Sequence, residues 1–349
     1  MKSQSIIRVF ILCAFLLVLF SCKKEEADAP ITITLESASE IKETSFIVNW
    51  SANSADISQL TIQFAFDESF SPIEKEFEIT NINLNSLEVN ELEGATQYKY
   101  RLKALLNNGS IIYSKISSVT TSYKIEPVTF TTSDGILIAG KLKYLESNND
   151  IKPAIIFMHE LGVWVNNWQN ADVVTSLIAQ GYICLIIDFR GHGQSGDFPL
   201  PTDASEIEAF INSTSQDLIA SINFLKTKDV VDANQFALVG GSLGAIMAVA
   251  GNEFDEVKAT VALSASRLGI FSIFPELNIN SVLFIAGELD VNIQSVNFAT
   301  EANALYNMAE EPKKLVILPG NSAHGTNLLL APGVNQEIIS WINARFENN

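Results

Sequence analysis

The stretch Phe236-Ala237-Leu238-Val239-Gly240-Gly241-Ser242-Leu243-Gly244 decides how this chain is read. Its four leading apolar residues suit a strand covered on both faces, and a helical pattern takes over near Ala245. Between them, Gly-x-Ser-x-Gly places a serine on a sharp strand-to-helix turn. The backbone of such a turn is strained, and a Cβ two positions to either side would collide with the packed strand or helix. Ser242 is therefore expected at the C-terminal edge of a sheet, where the N-terminus of the following helix adds positive potential for an oxyanion.

Working outward, short continuous apolar runs recur at 153–158, 182–188, 260–264, 281–286 and 314–318, the signature of buried parallel strands. Helical faces lie between them: Val173, Val174, Leu177 and Ile178 share one, and Leu218, Ile219, Ile222 and Leu225 another. Glycines at 181, 240, 241 and 287 mark crossings between elements. Residues 125–349 thus read as a doubly wound α/β domain with a mostly parallel sheet. Upstream, residues 31–122 alternate with period two. Leu60, Ile62, Phe64 and Phe66 are expected inward against Thr61, Gln63 and Ala65 outward, and Tyr98, Tyr100, Leu102 and Ala104 inward against Lys99, Arg101 and Lys103. Phe46, Val48 and Trp50 make a third buried face, and 107–110 (Asn-Asn-Gly-Ser) a hairpin turn, which together predict a small all-β sandwich.

A serine hydroxyl attacks an acyl carbon well only when a neighbouring base takes its proton. Of the three histidines, His159 ends a strand, His192 lies in Arg190-Gly191-His192-Gly193, and His324 follows the last strand in Asn321-Ser322-Ala323-His324-Gly325. His324 is the candidate base. The acid that orients it should follow the preceding strand, where Gly287-Glu288-Leu289-Asp290 offers Asp290, with Glu288 as an alternative. No His, Cys or carboxylate cluster has metal-ligand spacing, and the glycine-rich turn lacks the Lys-Ser/Thr ending of a nucleotide loop, so no metal or cofactor is expected.

These residues resemble the α/β-hydrolase superfamily. The resemblance runs from about Val128 to the end, through Thr132-Ser133-Asp134-Gly135, His159-Glu160-Leu161-Gly162, the run Asp188-Phe189-Arg190-Gly191-His192-Gly193-Gln194-Ser195-Gly196, the turn at Ser242, Asp290 and His324. It implies a Ser242–Asp290–His324 triad with an oxyanion hole made by the backbone N–H groups of Leu243 and Leu161. Where many members have His-Gly, this sequence has His159-Glu160, similar to the dienelactone hydrolase branch, in which a glutamate helps activate a nucleophile that is typically cysteine; here that position is Ser242. Two roles stay open for Glu160: participation at the nucleophile, or an ion pair with Arg190 or another nearby base. Trp164 and Trp168 either line an acyl or aromatic pocket or pack in the core or at the rim, and His192 is expected to hold a loop by hydrogen bonds.

The N-terminal segment 31–122 resembles a fibronectin type III domain, through Trp50 in an early strand and Leu92-Glu93-Gly94-Ala95-Thr96-Gln97-Tyr98, which is similar to that domain's tyrosine corner. Before it, Lys2 and Arg8 precede a dozen apolar residues ending in Leu19-Phe20-Ser21-Cys22. That pattern resembles a lipoprotein signal peptide (1–21), with Cys22 as the lipidated residue and 22–30 as a tether. Lys23-Lys24-Glu25-Glu26 is similar to the export tags of surface lipoproteins, which implies an outward-facing envelope location. Of three cysteines, Cys13 leaves with the signal and Cys22 carries lipid, so Cys184, in an apolar run, is expected as a buried core thiol.

The chain is 349 residues long with a formal charge of −18, which becomes −20 once Lys2 and Arg8 are removed with the signal. Such a balance repels phosphate backbones and excludes nucleic acid as a partner. The expectation is a lipid-anchored serine carboxylesterase acting on a small-molecule ester. A serine peptidase and a surface binding protein without turnover are the rivals. Only 196–212 and 264–280 are long enough to shape a pocket, so an open site for small or medium acyl groups is expected.

Overall fold

The computed structural model describes residues 31–53, 55–147 and 150–347; the expected signal, Cys22 and the tether lie outside the described residues. The first domain is built from strands β1 (Ile33–Leu35), β2 (Phe46–Ala52), β3 (Ile57–Ala65), β4 (Lys75–Ile79), β5 (Ser86–Val89), β6 (Gln97–Leu106), β7 (Ile111–Tyr113) and β8 (Ser117–Thr120). They form two antiparallel sheets, β1-β2-β5 and β4-β3-β6, with β7 and β8 each pairing with part of β6. The inner faces meet through Phe46, Val48, Trp50, Leu60, Ile62, Phe64, Tyr98, Tyr100, Leu102 and Ala104, all buried as their period predicts. Gly109, at φ 83°, closes the β6–β7 turn and donates to the Leu106 carbonyl at 2.9 Å. The Tyr98 hydroxyl accepts from the Glu93 N–H at 2.9 Å, tying the start of β6 to the loop before it.

One strand departs from strict alternation. Phe66 lies beyond the end of β3 and is about half exposed, its ring 5.7 Å from that of Tyr98. Gln63 and Ala65, expected outward, are buried. The reason is a polar layer on the outer face. The Arg101 Nε donates to the Gln63 amide oxygen at 2.9 Å, while its guanidinium lies 4.0 Å over the Phe70 ring and 4.2 Å over Tyr113, so long side chains cover what the period leaves open.

The second domain begins with a hairpin of β9 (Lys124–Thr131) and β10 (Leu137–Tyr144). It continues through β11 (Lys152–Met158), α1 (Asn166–Gln169), α2 (Asp172–Ala179), β12 (Ile183–Ile187), α3 (Ala204–Lys226), β13 (Val231–Gly241), α4 (Leu243–Ala250), β14 (Val257–Leu263), α5 (Ile270–Ile273), β15 (Val282–Gly287), α6 (Phe298–Met308), β16 (Lys313–Leu318) and α7 (Val334–Phe346). One sheet runs β9-β10-β12-β11-β13-β14-β15-β16, parallel from β12 to β16, with β10 antiparallel to both its neighbours. Every apolar run read as a strand is one. Helices α2 and α7 bury Val173, Val174, Leu177, Ile178, Ile338 and Ile342 on one face of the sheet. On the other, α3, α4 and α6 bury Leu218, Ile222, Leu225, Met247, Ala302 and Leu305. Coverage on both faces is why these strands carry no polar alternation. Cys184 sits inside β12, fully buried, and burial pushes its thiol pKa up, so it is a core thiol.

The domains meet over a small joint. Ala95 is buried in an apolar cluster of the second domain that Tyr123 and Leu145 also pack against. The Glu43 carboxylate accepts the N–H groups of Glu146 at 2.8 Å and Ser147 at 2.9 Å.

Candidate active site

Ser242 stands at the N-cap of α4 with φ 50° and ψ −108°, the strained backbone that the Gly-x-Ser-x-Gly spacing predicts. A Cβ on Gly240 would strike the Gly244 carbonyl, and one on Gly244 would strike the carbonyl of Met158 in β11. The turn is pinned by two backbone bonds, Ser242 N–H to the Leu263 oxygen at 2.9 Å and Gly244 N–H to the His159 oxygen at 3.1 Å. The serine is half-buried at the C-terminal edge of the parallel sheet.

His324 and Asp290 come together as expected. The imidazole Nδ1 lies 3.0 Å from both carboxylate oxygens of Asp290, which is almost fully buried. That pairing leaves Nε2 as the free acceptor of the ring. The Phe298 ring packs 4.4 Å from the imidazole, centroid to centroid. The alternative acid, Glu288, is exposed and accepts the Gly320 N–H at 2.7 Å instead.

Two backbone donors stand free where the oxyanion hole is expected. Among the described residues neither the Leu161 nor the Leu243 N–H has a hydrogen-bond partner. The next donor in the loop is engaged: Gly162 N–H donates to His192 Nε2 at 3.0 Å. A backbone N–H can only donate, so Nε2 of His192 is the acceptor, and its protonated Nδ1 donates to the Arg190 carbonyl at 2.9 Å. His192 holds the loop, as the sequence suggested. The same logic fixes His159, whose Nε2 accepts from Phe189 N–H at 2.9 Å and whose Nδ1 donates to the Glu160 carbonyl at 2.6 Å. Burial pushes the His159 pKa down to about 4, and with both nitrogens engaged it is no base for Ser242.

The expected Glu160–Arg190 ion pair is not formed. Arg190, fully buried, spends its guanidinium on Asp217 at 2.8 Å and on Asp134 at 2.7 Å. This pairing holds the Asp134 carboxyl down at about 2. Glu160 is 8% exposed and turns the other way. It accepts the Thr326 N–H, the Thr326 hydroxyl at 2.7 Å and the Asn167 amide at 3.0 Å, and among the described residues no lysine or arginine pairs with it. It lies under the turn, since a Cβ on Gly241 would come 2.9 Å from its Oε1. Trp168 is a core residue whose indole donates to the Met158 carbonyl at 2.9 Å, whereas Trp164 stands about half exposed beyond Leu161.

A groove of about 620 Å³ adjoins the site, lined in part by Ser266, Leu268, Phe271, Asn292, Val296 and Phe298, the last being the residue packed on His324. Its walls come from the segments after β14 and β15, one of which, 264–280, the sequence singled out. Three contributors were missed: Ser264, Thr326 and Asn167. Ser264 ends an apolar strand at the sheet's C-terminal edge, a position where site residues collect in parallel sheets. The other two carry no local signal. Among the described residues no group of three His, Cys, Asp or Glu side chains could hold a metal ion.

Residues 155–323 match the alpha/beta hydrolase family. Over 139 residues the chain is 34% identical to the thiohydrolase apmlB of Arthrinium phaeospermum, a match spanning 40% of this chain and 42% of that relative. An esterase from Pyrococcus furiosus superposes with a TM-score of 0.51 at 17% identity, over 64% of this chain and 90% of its own. Acetyl xylan esterase 1 from Thermoanaerobacterium sp. does so with 0.51 at 16%, over 64% and 84%. At such identities the structural likeness speaks for the fold alone. Over residues 155–323 the sequence is thus similar to the alpha/beta hydrolase family, and the sheet order around that stretch gives the second domain an α/β fold like that of the solved structures.

Proposed function

We propose that the chain is a serine hydrolase of the carboxylesterase type. The observation that carries this reading is the His324–Asp290 pair, with Nδ1 3.0 Å from both carboxylate oxygens, on loops bordering the strained turn that bears Ser242. The Ser242 hydroxyl attacks the acyl carbon as His324 Nε2 takes its proton. Asp290 stabilises the imidazolium, and the Leu161 and Leu243 N–H groups bind the tetrahedral oxyanion. The imidazolium then gives its proton to the leaving alcohol. Water, activated by the same nitrogen, releases the acyl group from Ser242. The groove ending at Phe298 supports small or medium acyl substrates, its apolar lining being Leu268, Phe271, Val296 and Phe298. The thiohydrolase relative supports testing thioesters beside oxygen esters, because both undergo the same acyl transfer.

A fluorophosphonate probe and a series of p-nitrophenyl esters of graded chain length test this directly. Labelling and turnover should both vanish in Ser242→Ala while the unfolding midpoint stays put. Turnover surviving in that variant would overturn the assignment, and an unlabelled, inactive wild-type protein would favour the binding-protein reading.

The N-terminal segment is read as a lipid anchor on Cys22. The first domain is read as a fibronectin type III-like spacer, supported by the β1-β2-β5 and β4-β3-β6 sheets and the Tyr98–Glu93 bond. Cys22→Ser should move the protein from the membrane fraction to the soluble fraction with activity retained. Membrane retention by that variant would remove the anchor.

A further inference from the structure

Ser264 follows β14 directly, is fully buried, and holds a non-glycine backbone at φ 55°. Its hydroxyl makes two hydrogen bonds. Gly325 N–H reaches its Oγ at 2.9 Å, and its Oγ lies 2.7 Å from Asp290 Oδ2. The polarity of this chain is not free. A backbone N–H cannot accept, so Oγ accepts from Gly325, and its single proton must go to Asp290. The hydroxyl thereby touches the residue next to His324 and the carboxylate that orients His324. We propose that Ser264 is a positioning residue of the active site, one hydroxyl that sets the Asp290 carboxylate and the His324 loop in register with each other.

Three observations carry it. Among the described residues the only side chains bonded to the Asp290 carboxylate are His324 and Ser264, so deleting the hydroxyl leaves one buried oxygen served by the imidazole alone. An alanine there would also orphan the Gly325 N–H, which is itself buried. The left-handed backbone at a buried serine is a local strain that the surrounding contacts hold in place, the pattern found where geometry serves a site.

The inference rests on the triad reading above, and the experiment separates the two. Ser264→Ala removes the hydroxyl but keeps the strained backbone; Ser264→Gly removes it and relieves the strain. Both should lose about tenfold in kcat on a p-nitrophenyl ester, with KM within twofold, as expected for one hydrogen bond to a charged group. The unfolding midpoint should be higher in the glycine variant. Because Ser264 acts through Asp290, adding Ser264→Ala to Asp290→Asn should lower kcat less than twofold further. If activity instead follows stability, recovering in Ser264→Gly, or if the tenfold loss persists in the Asp290→Asn background, the positioning role is overturned. Turnover surviving in Ser242→Ala would sink the triad itself, a different result from an inert Ser242→Ala beside a fully active Ser264→Ala.

Discussion

Glu160 accepts both the backbone N–H and the hydroxyl of Thr326, joining the loop after β11 to a segment 166 residues away. The carboxylate is the fixed point against which the residues after His324 are laid. In Glu160→Gln one of its two oxygens becomes an amide that faces the Asn167 donor, and the bonds lose their charge. The expected loss is roughly 1–3 kcal/mol of stability, or about 3–10 °C in the unfolding midpoint. The acid limb of kcat/KM should move by less than about half a pH unit, because the role is one of holding a loop. A larger displacement at unchanged midpoint, read from pH–rate profiles, would make Glu160 a participant in proton transfer.

Gly244→Ala should be among the most damaging single changes in the second domain. The added Cβ has the Met158 carbonyl in its way, and both sides of that contact are backbone locked in β11 and α4. A loss of about 3 kcal/mol or more is expected, read as the denaturant midpoint of the purified variant or as its failure to accumulate in soluble form. A variant within about 1 kcal/mol of wild type would mean that the strand and helix can separate.

Stability should fall on acidification through the His159 site. Burial holds its pKa at about 4 in the folded chain, below the ordinary 6.5. Between those values the unfolded chain binds a proton that the folded one refuses, so stability is full above about pH 6.5 and declines towards pH 4, by up to about 1.4 kcal/mol per pH unit. Protonation would also cost Nε2 the lone pair that accepts from Phe189. Comparing denaturant midpoints at pH 7, 6 and 5 for wild type and His159→Gln isolates this contribution, since other groups titrate alike in both. Parallel slopes would refute it.

A fragment of residues 123–349 should fold and hydrolyse simple esters with kcat within about twofold of the full chain. Each domain has its own apolar core, and the joint includes Ala95, in one apolar cluster with Tyr123 and Leu145, and three hydrogen bonds to the Glu43 carboxylate from Glu146 and Ser147. Some loss of midpoint is expected from uncovering Tyr123 and Leu145. An inactive but folded fragment would show that the first domain shapes the site.

Much of this was legible in the chain, because the decisive features are local. Apolar runs mark strands covered on both faces, and Gly240 and Gly244 flank Ser242 because backbone passes within contact distance of both. Asp290 and His324 follow from their places after successive strands. Tertiary partners were less legible. Opposite charge alone suggested Glu160 with Arg190, but Asp134 and Asp217 already occupy that guanidinium, and which carboxylates reach it is decided by the hairpin and α3, far apart in sequence. Ser264 and Thr326 are single hydroxyls whose partners lie 61 and 166 residues away, so no spacing announces them. Phe66 misled because the period continues in the sequence past the point where the strand ends.

The segment following β16 runs back across the ends of the sheet. His324 meets the acid from beyond β15, Gly325 reaches the end of β14, and Thr326 arrives at the loop after β11. Residues from near the C-terminus therefore close a circuit opened by Glu160 in the domain's first parallel strand unit. During synthesis, a chain that has emerged only as far as β15 already bears the turn with Ser242 but has neither His324, the proposed proton acceptor, nor the Gly325–Thr326 clamp. On the triad proposed above, catalytic competence would arrive only with the residues after Leu318, so an emerging chain would stay chemically silent until they are made, and clipping near Leu318 would silence it again.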